Sequence, residues 1–177
     1  MAAPHLQQRY TPEEYLAYER QVEYKNEYID GQIIAMSGAS RAHALIAMNI
    51  AWVLVTQLRG QPCEVYGSDL RVKVRAHGMY TYPDVTVVCG EPQLEDAHVD
   101  TLLNPTLIIE VLSPSTERYD RGAKFEYYRA LPSLQEYLLI AQDQMLVEHF
   151  VRAGEDWRLI VTRDPTAVLS LPAIGCT

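Results

Sequence analysis

Two carboxylates stand beside runs of strand-forming apolar residues, where an ionised side chain is costly. Asp84 follows Tyr82-Pro83 and precedes a valine-rich segment, and Glu110 interrupts the run LIIEVL. An isolated charge buried in such a segment is strongly unfavourable. If the two strands pair, both carboxylates converge at one sheet edge and offer the oxygen ligands that Mg²⁺ or Mn²⁺ prefers. The alternative is that Glu110 lies at a strand end and faces water or an arginine.

A lysine follows the second carboxylate at a spacing that could return it to the same site. Lys124 comes 14 positions after Glu110 (124 − 110), and a helix would place Asp120, Lys124 and Tyr128 on one face. The ammonium group could then orient water or stabilise negative charge on a phosphate. Spacing alone favours the alternative, an exposed Asp–Lys pair that contributes a few tenths of a kcal/mol.

Caps and turn residues predict the elements that must position these groups. Thr11, followed by Pro12 and two glutamates, is typical of the start of a short helix. Asp30-Gly31 between apolar pairs predicts a hairpin. Ser40 precedes a long helix predicted over residues 41–58. Four apolar residues of this helix recur at helical spacing and are expected to form its core face; these are Leu45, Met48, Trp52 and Val55.

Strand-like segments dominate the rest of the chain. CEVYGSDLRVKV, YPDVTVVCG and TLIIEVL follow the long helix, with a polar loop over residues 91–104 before the third. A further helix is predicted over residues 116–131, and strands follow it. This order indicates an α/β or α+β fold with a mixed central sheet flanked by helices and an N-terminal hairpin. A single domain covering residues 1–177 is expected at this length.

Charge and composition limit the class of protein. The net charge of −8 argues against tight non-specific binding to nucleic acid, although an acidic metal site would itself contribute to it. The apolar stretch over residues 42–58 is interrupted by polar residues, so no membrane span is expected. The N-terminus lacks the pattern of a secretory signal. The three cysteines suggest neither a disulfide framework nor a zinc spacing, and a cytoplasmic protein is expected.

One predicted strand carries a basic stripe. Arg71, Lys73 and Arg75 alternate with apolar residues and would share one strand face. A solvated polar face is the default interpretation. The alternative is a strip that contacts phosphates, which Arg118 and Arg121 could extend.

Several segments together resemble the Uma2 family, restriction-endonuclease-like proteins of the PD-(D/E)xK nuclease superfamily. They are YPDVTVV, IIEVLSPST, DRGAKFEYY and LQEYLLI, and the similarity extends to EYIDGQIIAMSG and to the helix that begins near His43. The resemblance implies a restriction-endonuclease-like fold and a Mg²⁺- or Mn²⁺-dependent endonuclease that hydrolyses phosphodiester bonds in DNA. The superfamily pattern has a lysine two residues after the second acid, where this chain has Leu112. The resemblance implies that Lys124 replaces it.

The resemblance also implies the roles of individual residues. Asp84 and Glu110 would bind the cation, and Lys124 would position water or phosphate. Glu27 matches a further acidic position, with an exposed hairpin residue as the alternative. His43 matches another position, although a histidine near a helix end is more often structural, and Asp120 is a further candidate.

Three questions of function and assembly stay open at this point. Nuclease-like folds of this size often act as homodimers, so a homodimer is expected. A catalytically inactive nuclease-fold module that binds DNA or protein is the main alternative to an enzyme. A hydrolase of some other phosphoester is a further alternative.

Overall fold

Residues 8–177 of the computed structural model form four α-helices and eleven β-strands, together with one 3₁₀ turn (Arg75–His77) and one π-helical turn (Asp120–Lys124). The helices are α1 (Pro12–Glu19), α2 (Arg41–Gln57), α3 (Glu117–Tyr119) and α4 (Phe125–Arg129). The strands are β1 (Asn26–Ile29), β2 (Gln32–Ala35), β3 (Cys63–Gly67), β4 (Arg71–Val74), β5 (Met79–Thr81), β6 (Val85–Cys89), β7 (Thr101–Leu102), β8 (Leu107–Leu112), β9 (Glu136–Ala141), β10 (Val147–Ala153) and β11 (Asp156–Thr162).

The predicted start of α1 and the predicted hairpin are confirmed. Thr11 accepts a hydrogen bond from the Glu14 backbone, and the Glu14 carboxylate accepts one from the Thr11 backbone, which is a complete capping box. Between β1 and β2, Asp30 and Gly31 both have positive φ angles of 50° and 86°. Two positive φ angles in a two-residue loop fit the right-handed twist of a hairpin.

The strands form two sheets, and the predicted mixed α+β class is confirmed. A five-stranded sheet has the order β2-β1-β5-β4-β7, and a six-stranded sheet has the order β11-β10-β9-β8-β6-β3. Both are mixed, because β4 pairs in parallel with β7 and β8 in parallel with β9. Over residues 8–177 the chain changes sheet five times, between β2 and β3, β3 and β4, β5 and β6, β6 and β7, and β7 and β8. The segment 63–74, predicted as one strand, is therefore two strands in different sheets.

Strand β8 lies at the centre of the six-stranded sheet and is buried on both faces. Ile108 and Leu112 pack against Phe125 of α4 on one face, and Leu107 and Ile109 pack with residues of α2 on the other. Burial on both faces explains why the strand reads as an almost continuous apolar run. Helices on both sides of the sheet were predicted, and Glu110, on this same strand, is 4 % exposed.

The predicted core face of α2 is wrong. Leu45, Met48, Trp52 and Val55 are 49 %, 68 %, 68 % and 50 % exposed. The buried contacts are made instead by Leu54 within the helix and by Leu58 at its C-terminal cap. Since α2 carries apolar residues on more than one face, periodicity alone could not identify the face that meets the sheet.

Two other expectations are corrected. Cys63 and Cys89 are directly opposite each other on β3 and β6 and form a disulfide bond with an S–S distance of 1.99 Å. The cysteines therefore no longer argue for a reducing compartment. The helix predicted over residues 116–131 is interrupted by the π-helical turn. No helix within residues 8–177 is long and apolar enough to cross a membrane.

Candidate active site

Strand pairing brings the two predicted carboxylates together. Strand β6 pairs antiparallel with β8, with Val85 opposite Ile109. One further step along this register places Asp84 opposite Glu110, and residues directly opposite in an antiparallel pair share a sheet face. The backbone N–H of Val111 donates a 2.7 Å hydrogen bond to Asp84 Oδ2 and fixes that carboxylate at the end of β6.

Glu110 is held inside the protein by two donors. Glu110 is only 4 % exposed. Lys124 Nζ lies 2.9 Å from Glu110 Oε1, and the hydroxyl of Tyr128 donates a 2.9 Å hydrogen bond to the same oxygen. A strand-end carboxylate facing water or an arginine, the alternative considered from the sequence, is therefore excluded.

The π-helical turn directs Lys124 into the protein. Lys124 is 6 % exposed, and its Nζ lies 3.1 Å from Glu27 Oε1 and 3.6 Å from Asp120 Oδ1 as well as beside Glu110. An exposed surface pair between Asp120 and Lys124 is thus excluded. Insertions of this kind in helices are frequently found at functional sites. One ammonium group here faces three carboxylates.

Glu27 enters the site from the other sheet. It lies on β1 and is 8 % exposed, so it is not an exposed hairpin residue. The Thr81 hydroxyl on β5 donates a short hydrogen bond to Glu27 Oε1 and lies 3.3 Å from the Tyr128 hydroxyl. The five-stranded sheet therefore contributes both a carboxylate and the hydroxyl that positions it.

His43 reaches the opposite side of the site from the first turn of α2. Its Nε2 lies 3.1 Å from Asp84 Oδ2, with side chains that are 16 % and 15 % exposed. The hydrogen bond to Asp84 raises the pKa of His43 above its ordinary value, and burial opposes this rise. His43 therefore contacts Asp84, a proposed cation ligand, and does more than stabilise the start of its own helix.

Negative charge exceeds positive charge in this cluster. Burial raises the pKa of Glu110 to about 8, and the Asp120 and Asp84 carboxylates add to the rise while Lys124 opposes it. Burial also raises the pKa of Asp120. Burial would lower the pKa of Lys124, but the surrounding carboxylates, Glu110 first, raise it well above its ordinary value. The acids therefore hold their protons more tightly mainly because they are buried, and Lys124 holds its proton more tightly because several carboxylates surround it.

The donor set fits a hard divalent cation. The described contacts of Asp84 use Oδ2, and those of Glu110 use Oε1, so each carboxylate keeps a second oxygen for a ligand. No group of three or more histidine, cysteine, aspartate or glutamate side chains in residues 8–177 is arranged to hold a metal ion. Mg²⁺ needs fewer protein ligands than three, since it is commonly bound by one or two carboxylates together with waters and substrate phosphates.

Sequence reasoning missed the hydroxyl groups of the site. Tyr128 donates to Glu110, Thr81 donates to Glu27, and Tyr137 donates a 3.1 Å hydrogen bond to the backbone oxygen of Asp120. The position of Tyr128 could have been predicted, because it lies four residues after Lys124 and therefore on the same helix face. Thr81 had none, since its contact with Glu27 joins residues that are 54 positions apart.

Two of the three residues of the basic stripe, Arg71 and Lys73, are paired with carboxylates. Arg71 is buried and bonded to Asp100 and Tyr82, and Lys73 pairs with Glu95. These cations are already neutralised by carboxylates. Arg121 is likewise paired with two glutamates, so these three residues give no support for a phosphate-contacting surface.

Comparisons with known proteins agree on the family and fold. Residues 12–176 match the sequence model of the Uma2 family, described as "Putative restriction endonuclease". Two proteins of Synechocystis sp., named "Uncharacterized protein slr1290" and "Uncharacterized protein sll1609", are 39 % and 40 % identical to this chain. The first alignment covers 93 % of this chain and 86 % of the relative, and the second covers 84 % and 85 %.

A solved structure shares the fold at low sequence identity. The crystal structure of "a putative nuclease belonging to DUF820" from Anabaena variabilis superposes with a TM-score of 0.77 at 20 % identity, covering 93 % of this chain and 90 % of that one. The family model matches nearly the whole chain, and the acids, the helix lysine and the fold on which the resemblance rested are all in place. The chain therefore belongs to the Uma2 family of restriction-endonuclease-like proteins.

Proposed function

We propose that the protein is a Mg²⁺- or Mn²⁺-dependent endonuclease that hydrolyses phosphodiester bonds in DNA. The observation that carries this proposal is the cluster in which Glu27, Glu110 and Asp120 surround the single ammonium of Lys124. Asp84 lies beside this cluster, opposite Glu110 in the pairing of β6 with β8. A divalent cation would balance the excess negative charge. The family membership supports the same reaction class. The proposal includes a single catalytic domain, a homodimer and a cytoplasmic location.

Each side chain has a role that follows from its contacts. Asp84 and Glu110 would hold the cation through the oxygens that their protein contacts leave free. Bound there, the cation would supply Lewis-acid activation of water and neutralisation of charge on the phosphate. Lys124 stays protonated at neutral pH and can orient water or a phosphate oxygen. Tyr128 holds the Glu110 carboxylate in place, and His43 holds Asp84.

Glu27 and Asp120 would act on the lysine rather than on the cation. Both lie within 3.6 Å of Lys124 Nζ, and the Thr81 hydroxyl anchors Glu27 from the five-stranded sheet. Together they keep the ammonium charged and restrict its position. Glu27 could in addition position the attacking water, as the family resemblance implies.

Cleavage of single- and double-stranded DNA tests the proposal. Wild type, Asp84→Asn and Glu110→Gln are compared with Mg²⁺ and with Mn²⁺, with and without a chelator. We expect wild type to cut DNA and both variants to lose cutting, because each removes one of two carboxylate ligands. Calorimetric titration with Mn²⁺ provides a readout that does not require turnover, and both variants should bind the ion more weakly.

Glu126→Gln is the matched control. Glu126 lies on α4 near the site in sequence, but its side chain is 67 % exposed and pairs only with Arg129 among the described residues. This variant should cut DNA and bind Mn²⁺ like wild type. Cutting that survives both site substitutions, or no cutting by wild type under any of these conditions, would contradict the proposal.

A catalytically inactive module is the second candidate, and one observation favours it. Lys124 already forms a 2.9 Å ion pair with Glu110, so the protein can neutralise this carboxylate without a cation. Such a module would bind DNA or protein, show no Mn²⁺ binding in calorimetry, and keep its binding after Glu110→Gln. Hydrolysis of small phosphodiesters but not of DNA would instead identify the third alternative, a different phosphoesterase.

A further inference from the structure

Strand β11 forms one edge of the six-stranded sheet, and its outward-facing residues can be identified. Arg152 on β10 donates its backbone N–H to Gln135, beside β9. Alternate residues of an antiparallel strand face opposite neighbours. Ala153 therefore faces β11, where it is opposite Asp156. The backbone groups that point outward from β11 consequently belong to Trp157, Leu159 and Val161.

Within residues 8–177, this edge lacks most of the usual protection against pairing with another strand, since its charged residues, Asp156 and Arg158, both lie in its first half. Its register with β10 runs without a bulge from Ala153 to Val147, and the strand contains no proline. Leu159, Ile160 and Val161 at its centre are 47 %, 38 % and 49 % exposed. Within residues 8–177, β10 is the only strand that pairs with β11. Natural proteins normally shorten, charge, bend or cover an apolar edge of this kind.

We propose that β11 pairs antiparallel with β11 of a second copy of this chain, so that the two six-stranded sheets become one continuous sheet. A two-fold axis through Leu159 places this residue opposite its own copy and Trp157 opposite the partner's Val161. The three outward-facing residues then form about six interchain backbone hydrogen bonds, two for each facing pair. An aromatic residue opposite a β-branched residue is a favourable cross-strand pair.

Charge complementarity supports a second copy in this register. The same alignment places Glu155 of each chain opposite the partner's Arg163, which gives one opposite-charge pair at each end of the ribbon. It also places Arg158 opposite Ile160, so no like charges lie directly opposite each other. Moving the axis to Arg158 would set two arginines against each other, and like charges directly opposite are destabilising.

The exposed face of α2 is a weaker candidate for the same interface. Its apolar side chains would accept many kinds of apolar partner, and nothing in its geometry selects one. A strand edge is more specific, because unpaired backbone donors and acceptors at this spacing are satisfied by another strand. The inference about β11 rests on the homodimer included in the proposed function and gives it an interface. It does not depend on nuclease activity, so the mass measurement and the DNA cleavage assay can fail independently.

The oligomeric state of the full chain tests the inference. The mass of wild type, Leu159→Pro and Leu159→Val is measured by sedimentation and light scattering over a wide concentration range. Proline removes an outward N–H and leaves the ladder to β10 intact, because Leu159 does not donate to that strand. Valine keeps the N–H. We expect wild type and Leu159→Val to be dimers, and Leu159→Pro to form a roughly 100-fold weaker dimer.

Amide hydrogen exchange of wild type keeps the inference testable if the proline variant fails to fold. The amides of Trp157, Leu159 and Val161 should become protected as the protein concentration rises, while those of the other edge strand, β3, should not change. Wild type that stays monomeric overturns the inference. A dimer that survives Leu159→Pro but dissociates after Trp52→Gln also overturns it and assigns the interface to α2.

Discussion

Replacing Glu110 by glutamine in cation-free protein gives a sharp test of the site's electrostatics. The carboxyl of Glu110 has a pKa of about 8 in the folded protein, against an ordinary value of 4.5. Between these two values the folded protein keeps a proton that the unfolded chain has released. Unfolding therefore releases a proton, and the free energy of unfolding of wild type falls as the pH rises through this window.

The size of this effect follows from the difference between the two pKa values. At 1.36 kcal/mol per pH unit, the interval from 4.5 to about 8 corresponds to at most about 5 kcal/mol. The glutamine side chain carries no charge and keeps an acceptor for Tyr128 and Lys124. The free energy of unfolding of Glu110→Gln relative to wild type should therefore rise by roughly 3–4 kcal/mol between pH 5 and pH 8.

Urea denaturation followed by circular dichroism, in the presence of a chelator, measures this difference at several pH values. His43 also has a raised pKa, so its stabilising contribution is likewise lost with rising pH, but it is present in both proteins. Glu126→Gln serves as the control and should follow wild type. If the difference between Glu110→Gln and wild type stays constant across the window, Glu110 is not the buried, overcrowded carboxyl described above, and the reasoning fails.

Three further predictions concern single side chains. Lys124→Met leaves buried carboxylates without their ammonium partner and should lower the free energy of unfolding by about 3–5 kcal/mol, measured by urea denaturation at pH 7. A loss below about 1 kcal/mol would mean that the ion pair between Lys124 and Glu110 is exposed to solvent. Tyr128→Phe removes one donor to Glu110 and should cost about 1–3 kcal/mol in the same assay, whereas an unchanged stability would place that hydroxyl outside the site. Trp52→Gln should change the free energy of unfolding by less than about 0.5 kcal/mol, while Leu54→Ala should lower it by about 2–5 kcal/mol. If thermal denaturation gives the reverse order, the face of α2 that was predicted from periodicity is the buried one.

Local sequence signals predicted most of the elements. The capping box at Thr11 and the Asp30-Gly31 turn depend on residues within four positions of each other, and the structure has both. The apolar run with Glu110 at its centre correctly indicated a buried strand carrying a carboxylate that needs a partner. The family resemblance added Lys124, which spacing alone would have left on the surface.

Contacts between distant segments decided the rest. Asp84 and Glu110 are neighbours because β6 pairs with β8. Glu27 contacts Lys124 from the other sheet, although the two residues are 97 positions apart in the chain (124 − 27). The division of residues 63–74 between the sheets also depends on such pairing. No periodicity within a segment reports which other segment it will meet.

The sequence by itself determined the start of α1, the turn between β1 and β2 and the extent of α2, because caps and turn residues act over a few positions. Only the tertiary structure decided which face of α2 is buried, that Cys63 bonds to Cys89, and that Glu27, Glu110 and Asp120 share one ammonium group. Burial and electrostatic balance are sums over all neighbours in space. Those neighbours come from segments that lie far apart in the chain, so their combined effect exists only once the two sheets and the helices have packed together.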